Sequence, residues 1–367
     1  MHNPPPMDTI TQGILGAAFG NACAGPKLGR RAAWWGTIGG ALPDADLVVK
    51  LAGGDWAELA YHRSLTHALW FGPAVGSAIG YGVWRWYGRT YDAAAPNAAA
   101  HPGAPPMLRE WVLLFVITIL THPLLDWFTS YGTQLFWPFS SHRFALDAIS
   151  IVDPIYTLIL LGALLLGRRC AALLGRAYDA RTHANVSAGA ILITTGYLMY
   201  GWWLNGRAED LARRDLEGLG VTNAQVHAYP TLLQLYLRRV VTRTPDVIRV
   251  GKLSTWAPRP VAWRTNLVPH HPLVDVVRAT PRGRLFEWFA MGQTSARVLE
   301  SEGKTVVAIE DVRYSPTTDG TEGMWWIHAR FPPEGPPDEW IQYHERSLPP
   351  RILHESAVVL RDAFAPE

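Results

Sequence analysis

Long blocks of apolar residues fill the first 205 positions of this 367-residue chain. A helix needs about 20 mainly apolar residues to cross the hydrocarbon core of a bilayer, and six segments approach or reach that length. Charged residues make up only 17% of the chain, against about 25% in typical soluble proteins. We therefore expect residues 1–205 to form an α-helical polytopic membrane bundle of about six transmembrane helices. The six segments are 8–24, 32–50, 67–87, 110–128, 149–167 and 185–205.

The composition changes after residue 205, where a charged stretch at 207–217 predicts a short helix leaving the membrane. Short alternating runs separated by turn residues follow it and predict strands. A last helix is expected at 351–363. Residues 206–367 should therefore form a soluble α+β domain, mainly β. The predicted strands are 232–241, 246–254, 285–291, 304–314 and 324–331.

The distribution of Lys and Arg predicts the orientation of this bundle. The connections after segments one, three and five share one side of the membrane, and cytoplasmic connections are enriched in basic residues. Both termini and the C-terminal domain should then lie outside the cytoplasm, and the linker 89–109 inside. The first set carries Lys27, Arg30, Arg31, Arg85, Arg89, Arg109, Arg168, Arg169, Arg176 and Arg181. The opposite set carries Lys50, Arg63 and Arg143, to which Arg207, Arg213 and Arg214 can be added.

Net charge and cysteine content narrow the function classes. A formal charge of +2 gives no support to nucleic-acid binding. Cys23 and Cys170 are too few for a disulfide framework or a thiolate zinc site. The expected partners are the lipid bilayer and an amphiphilic small molecule, with no nucleic acid.

Ligand-type side chains gather at the predicted outer ends of the apolar segments. His122 and Asp126 lie four residues apart, so they share one face of the fourth helix. Because the orientation uses only Lys and Arg, the placement of the acids and imidazoles on a single side is an independent observation. The other members are Asp44 and Asp46 near the end of segment two, His62, Arg63 and His67 at the start of segment three, and Asp147 and Asp153 at the start of segment five.

Burying these carboxylates in a membrane requires compensation. A carboxylate near the middle of a membrane helix costs roughly 2.5–3.5 kcal/mol on insertion scales, so Asp44, Asp46 and Asp126 together approach about 9 kcal/mol. A divalent cation removes their repulsion, and imidazoles complete its shell. Ligands without thiolate suit zinc, which we expect here, or manganese or iron. The number of candidates leaves room for one or two ions, and Arg63 could hold an anionic oxygen.

Several polar residues also fit structural roles. Asp153 before Pro154 is typical of a helix N-cap, and Ser64 could cap the third segment. We expect His142 and Arg143 to be solvated loop residues, and His270 and His271 to be structural or incidental.

Glycine spacing predicts close helix packing in the first half of the chain. Gly16 and Gly20 form a GxxxG pair, and Gly72, Gly76 and Gly80 repeat the spacing. Such pairs let helices approach closely in lipid, although glycine is common in membrane helices in any case.

Five motifs in order resemble the YdjM-like membrane-bound metal-dependent hydrolases, over about residues 7–170. The resemblance implies metal ligation by Asp44, Asp46, His62, His67, His122 and Asp126. Some relatives carry a His where this chain has Gln12, so helix one should contribute no ligand. The family's description as LexA-binding has no counterpart in these residues. The motifs are Met7-Asp8-Thr9-Ile10-Thr11-Gln12-Gly13, Leu42-Pro43-Asp44-Ala45-Asp46, His62-Arg63-Ser64-Leu65-Thr66-His67, Thr121-His122-Pro123-Leu124-Leu125-Asp126, and Phe144-Ala145-Leu146-Asp147 with Val152-Asp153-Pro154.

These observations favour a metal-dependent hydrolase of the bacterial inner membrane that acts at the periplasmic interface. Its substrate would be amphiphilic, with a lipid phosphate ester ahead of peptides, and Arg63 and Asp147 would be catalytic. Two alternatives stay open: a transporter or ion-binding protein, in which His and Asp mark a pathway, and a non-catalytic anchor that displays the C-terminal domain.

Overall fold

The computed structural model describes residues 7–90, 107–173, 175, 179–301, 303–315, 322–331, 337, 341–345, 359 and 361–364. Within these ranges the N-terminal region is mostly helical and the C-terminal region contains two antiparallel sheets. Most of the linker 89–109 lies outside the described residues. The same holds for most of the helix predicted at 351–363.

Every predicted apolar segment contains a helix. The second segment is interrupted, because Pro43 lacks a backbone donor and α2 gives way to a 3-10 turn at Leu42–Leu47. The third segment begins with a 3-10 turn at Leu65–His67 and a π turn at Gly72–Gly76. The α-helices are α1 (Met7–Leu28), α2 (Arg30–Ala41), α3 (Val48–Tyr61), α4 (Ser77–Thr90), α5 (Leu108–Trp127), α6 (Pro154–Leu173) and α7 (Ala180–Gly218).

Six membrane spans are not confirmed. Among the described helices, α5 alone is both long and apolar enough to cross a membrane, and Pro154–Gly167 is a shorter apolar stretch. The 12 residues of α2 extend only about 18 Å at 1.5 Å per residue, well below the roughly 30 Å of a hydrocarbon core.

The glycine pairs do mediate close packing, as their spacing predicts. A Cβ at Gly16 would lie 2.2 Å from the carbonyl oxygen of Gly36, and a Cβ at Gly20 would lie 2.3 Å from that of Ala32. Helices α1 and α2 therefore pack backbone against backbone. Gly76 and Gly80 allow a similar approach to α5, where a Cβ would lie 2.8 Å and 2.7 Å from backbone atoms of Val116 and Val112.

The two sheets are four-stranded antiparallel meanders in which consecutive strands are neighbours. The first has strands β1 (Gln225–Pro230), β2 (Leu237–Arg243), β3 (Val247–Ser254) and β4 (Arg264–Leu267). Helices α8 (Pro272–Ala279) and α9 (Pro281–Phe289) connect it to the second. The second has strands β5 (Thr294–Ser301), β6 (Lys304–Asp311), β7 (Trp325–Arg330) and β8 (Gln342–Glu345).

The strand predicted at 285–291 is wrong, because this stretch lies largely in α9. Thr280 caps that helix by accepting a hydrogen bond from the backbone N–H of Gly283 at 3.0 Å, and Pro281 follows at the first helical position. Phe286 and Phe289 are three residues apart and both fully buried, which is helical spacing. A short apolar run without its context cannot distinguish the two structures.

Helix α7 joins the helical region to the sheets. Its 39 residues span roughly 58 Å, so the sixth apolar segment and the charged stretch at 207–217 form one continuous helix. Ala208, Ala212 and Leu216 on its C-terminal half pack against the first sheet. The second sheet forms its core with α8 and α9, and Leu59 of α3 also contributes to that core.

Arg238 of β2 connects the first sheet to the helical region through hydrogen bonds. The side chain is fully buried, and its guanidinium donates to the carbonyl oxygens of Asp147 at 3.0 Å and Ala148 at 2.9 Å. It also donates to the carbonyl oxygen of Gly201 at 2.8 Å and to Oδ1 of Asn205 at 3.3 Å. One cation thus satisfies carbonyls from the loop before α6 and from the middle of α7.

We expect Arg238→Met to lower the free energy of unfolding by about 3 kcal/mol, because it leaves several buried acceptors without a donor. Denaturant unfolding of the purified protein in detergent measures this change. Arg259→Met, at an exposed position, is the matched control and should stay within about 0.5 kcal/mol of wild type. Equal stabilities of the two variants would contradict the role given to Arg238.

Candidate metal centre

Three separate stretches bring the predicted ligands together. Asp44 and Asp46 lie on the 3-10 turn that ends α2. His62, Arg63 and His67 lie in the connection after α3. Arg63 has a positive φ of 62°, an uncommon conformation for a residue with a side chain. His122 and Asp126 occupy the last turns of α5.

Asp44, His67 and His122 form a triad that could hold a metal ion. Each offers one ligand atom, and these atoms lie within 4.8 Å of one another. Nε2 of His122 is 3.2 Å from Oδ1 of Asp44, and Nε2 of His67 is 4.0 Å from the same oxygen. Both imidazoles are fully buried. Asp126 approaches the same point, with its Oδ2 3.2 Å from Nε2 of His67 and 3.7 Å from Nε2 of His122.

The unsatisfied atoms at this point fit a divalent cation. Nε2 of His67, Nε2 of His122 and Oδ2 of Asp126 are buried and make no hydrogen bond, although Oδ2 of Asp126 faces the guanidinium of Arg63 at 3.1 Å. Buried polar atoms are nearly always hydrogen-bonded, so such exceptions call for an explanation. Two imidazole nitrogens with carboxylate oxygens form a donor set typical of zinc, manganese or iron.

The opposite nitrogen of each triad imidazole is fixed by its surroundings. Nδ1 of His122 lies 2.6 Å from the carbonyl oxygen of Gly40, and since a carbonyl can only accept, Nδ1 carries the proton. Nδ1 of His67 lies 2.9 Å from Oγ1 of Thr66 and 3.2 Å from Oδ2 of Asp46. Partners of this kind orient a ligating histidine and leave its Nε2 lone pair for the ion.

Asp46 and His62 lie beside the triad. The carboxylate of Asp46 accepts hydrogen bonds from the backbone N–H of Arg63 at 3.0 Å and the hydroxyl of Thr66 at 2.9 Å. Its Oδ1 is 2.8 Å from Nδ1 of His62. These contacts give Asp46 an orienting position between two histidines. Its role as a ligand, and that of His62, stay predictions.

Arg63 faces Asp126 inside the cluster. Its Nε lies 3.1 Å from Oδ2 of Asp126, and its Nη1 donates to the Thr129 hydroxyl at 3.0 Å. The guanidinium also lies 4.6 Å above the centre of the Tyr131 ring. With only 3% of its surface exposed, Arg63 places a positive charge in the wall of the site and offsets the charge of Asp126.

Gln12 contributes to the site from α1, although Gln is a poor metal ligand. Its Nε2 donates to Oδ1 of Asp126 at 3.0 Å and to the carbonyl oxygen of His122 at 3.3 Å. The side chain is fully buried. Gln12, Thr129 and Tyr131 were not among the predicted site residues. Gln12 lies within the first motif of the family resemblance, but Thr129 and Tyr131 carry no comparable signal.

Asp147 lies apart from the triad. Burial raises the pKa of its carboxyl to about 6, while the Ser130 hydroxyl and the Arg313 and Arg238 guanidiniums act in the opposite direction. None of these neighbours belongs to the triad. The catalytic role of Asp147 stays a prediction.

The expected structural roles have mixed outcomes. Asp153 does cap α6, since its Oδ1 accepts from the backbone N–H of Tyr156 at 3.0 Å. His271 caps α8 and His270 is exposed. Ser64 makes no capping hydrogen bond. The prediction that Arg143 is solvated is wrong. Its guanidinium is buried and lies 5.0–5.3 Å from the rings of Tyr131, Trp288 and Phe289. These rings meet Arg143 only in the folded chain.

Comparison with known proteins gives one family. The model of the YdjM inner membrane protein family matches residues 7–208. This range contains the triad and all of the surrounding residues described above, apart from those in the C-terminal region. No curated protein and no solved structure matches the chain.

We expect the purified wild-type protein to contain a stoichiometric divalent metal ion and His67→Ala and His122→Ala to lose it, because each removes a converging nitrogen. Elemental analysis of the purified variants measures the metal. His142→Ala, at an exposed position, is the matched control and should retain the ion. Metal-free wild type, or full occupancy in the two triad variants, would contradict the site.

A second set of variants distinguishes residues that bind the metal ion from residues that only orient a ligating histidine. We expect Asp46→Asn to weaken metal affinity by about 10–100-fold, the range for partners that orient a ligating histidine, and Asp44→Asn to abolish binding. Competition with a chelator of known affinity measures both. Asp55→Asn, in the more exposed part of α3, is the control. Equal losses at positions 46 and 44 would mean that Asp46 is itself a ligand.

Proposed function

We propose that this chain, which belongs to the YdjM inner membrane protein family, is a metal-dependent hydrolase that acts on an amphiphilic phosphate ester at the membrane surface. The convergence of Nε2 of His67, Nε2 of His122 and Oδ1 of Asp44 carries this proposal. The other residues at the site are fixed by hydrogen bonds to one another, which is the arrangement that precise metal binding requires.

Most of the exposed large apolar side chains lie between residues 7 and 207, which supports a membrane-embedded bundle. Exposed apolar surface of this kind is unfavourable in water and typical of a lipid contact. We propose that α1, α2, α4, α5, α6 and the N-terminal half of α7 are embedded in lipid and that the C-terminal sheets are periplasmic. Among the described residues, six exposed large apolar side chains follow residue 207: Leu219, Trp256, Leu267, Val276, Leu299 and Phe364.

The exposure of the site indicates where a substrate would enter. His67 and His122 have no exposed side-chain surface, whereas Asp44 and His62 are 10% and 12% exposed. Access is therefore from the side of Asp44 and His62, at the end of α2 and α3. A site at the end of these helices would suit a molecule whose polar group reaches the surface while its apolar part remains in lipid.

The residues of the site have distinct tasks in this proposal. Asp44, His67 and His122 hold the ion, with Asp126 beside them, and zinc is the best fit to the donor set. A bound divalent ion supplies Lewis acidity and lowers the pKa of a coordinated water. Arg63 contributes a positive charge that attracts an anionic oxygen of the substrate, and Tyr131 holds its guanidinium in place. Gln12 and Asp46 keep the ligands oriented.

We expect detergent-solubilised wild-type protein to hydrolyse a lipid phosphomonoester or phosphodiester in mixed micelles. A chelator should abolish the activity, and added zinc or manganese should restore it in wild type but not in His122→Ala. Release of phosphate or of the alcohol headgroup measures the rate, and His142→Ala is the active control. A metal-loaded wild type that cleaves neither class of ester would contradict the proposal.

A further inference from the structure

An open cavity lies outside the metal centre, between the loop Ala145–Asp147 and the face of α7 from Trp202 to Arg214. Its volume of about 580 Å³ falls in the range of small-molecule sites, about 300–1,000 Å³. The lining is mixed: two tryptophans, two arginines and three carboxylates contribute. None of the residues assigned above to the ion lines it.

The cationic wall of the cavity follows from the helical repeat of α7. Trp203, Arg207, Asp210 and Arg214 are spaced by four, three and four residues and so share one face. The guanidinium of Arg207 lies 5.8 Å from the centre of the Trp203 ring, and Nε of Arg214 donates to the carbonyl oxygen of Asp210 at 3.3 Å. Among the described residues neither arginine contacts a carboxylate. Both guanidiniums can therefore bind an anion.

Asp147 on the loop and Glu209 on α7 offer acceptors for a cation. Oδ1 of Asp147 is buried and has no hydrogen-bond partner among the described residues. Glu209 is half-buried. Its Oε1 accepts a hydrogen bond from the backbone N–H of Ala228 at 3.3 Å, and its Oε2 lies 3.9 Å from Nη2 of Arg213. The cavity is therefore lined by both carboxylates and guanidiniums, which suits a ligand that carries a negative and a positive group.

The position of the cavity along α7 indicates a lipid. Towards the N-terminus of this helix, Leu192, Ile193 and Met199 are exposed and apolar. Trp202 and Trp203 are exposed at the point where charged residues begin, and tryptophan is enriched where a helix leaves the hydrocarbon core. A headgroup in the cavity would continue into acyl chains along the apolar face.

We propose that this cavity binds the headgroup of a phospholipid that carries a phosphate and a primary ammonium group. Arg207 and Arg214 hold the phosphate by charge-assisted hydrogen bonds, and Asp147 and Glu209 accept hydrogen bonds from the ammonium group. The inference rests on the membrane placement of α7 proposed above and is independent of hydrolysis at the metal centre.

Native mass spectrometry of the delipidated, detergent-solubilised full-length protein tests the site with phosphatidylethanolamine and phosphatidylglycerol. Wild type should bind phosphatidylethanolamine at least 10-fold more tightly. Arg207→Gln combined with Arg214→Gln should weaken both lipids at least 10-fold. Asp147→Asn combined with Glu209→Gln should remove the preference, and Glu209→Gln alone should reduce it if the double variant does not fold. Soluble phosphoethanolamine should compete with the lipid.

Arg259→Gln is the matched control, since Arg259 is exposed and does not line the cavity. It should bind both lipids as wild type does. Equal weakening by Arg259→Gln, an unchanged affinity in the double arginine variant, or no lipid preference in wild type would each overturn the proposal. Metal content and ester hydrolysis are measured on the same variants. These measurements distinguish failure of the lipid-site proposal from failure of the hydrolase proposal.

Discussion

The buried pairing of Arg63 with Asp126 is the interaction on which the site depends. Both side chains are almost fully removed from solvent, and Nε of Arg63 lies 3.1 Å from Oδ2 of Asp126. Removing one partner of a buried ion pair is costly, about 3–5 kcal/mol, because the other charge is left uncompensated. The pair therefore constrains α5 and the connection after α3 to one relative position, in which His67 and His122 also converge.

The C-terminal region takes part in this constraint. Tyr131 contacts Arg63 and His62 on the side of the metal centre, and its ring packs against Phe289 and Trp325 of the C-terminal region. Arg313 reinforces the junction by donating to the carbonyl oxygen of Ser130 at 2.9 Å. The C-terminal region therefore packs against the residues of the metal centre through Tyr131 and supports them from outside the helical region. This packing gives the second sheet a structural role that a separately displayed domain would not have.

Local sequence patterns predicted many residues of the candidate site. The spacing of His122 and Asp126 places both on one face of a helix, and that inference needs only the helical repeat. The division of tasks within the site was not accessible in this way. Asp44 and Asp46 are two residues apart and chemically identical, yet Asp44 belongs to the triad and Asp46 instead accepts hydrogen bonds from Arg63 and Thr66. Only neighbours distant in sequence, such as Thr66 and His122, distinguish them.

Composition and periodicity alone predict apolar helices in the first part of the chain, carboxylates and imidazoles near the ends of those segments, and strands in the remainder. These properties follow from composition and periodicity, which act over a few residues. Only the folded chain shows that Gln12 supports Asp126 and that Arg143 is buried against aromatic rings. Each of these depends on contacts between segments far apart in the chain, so no local pattern could encode them.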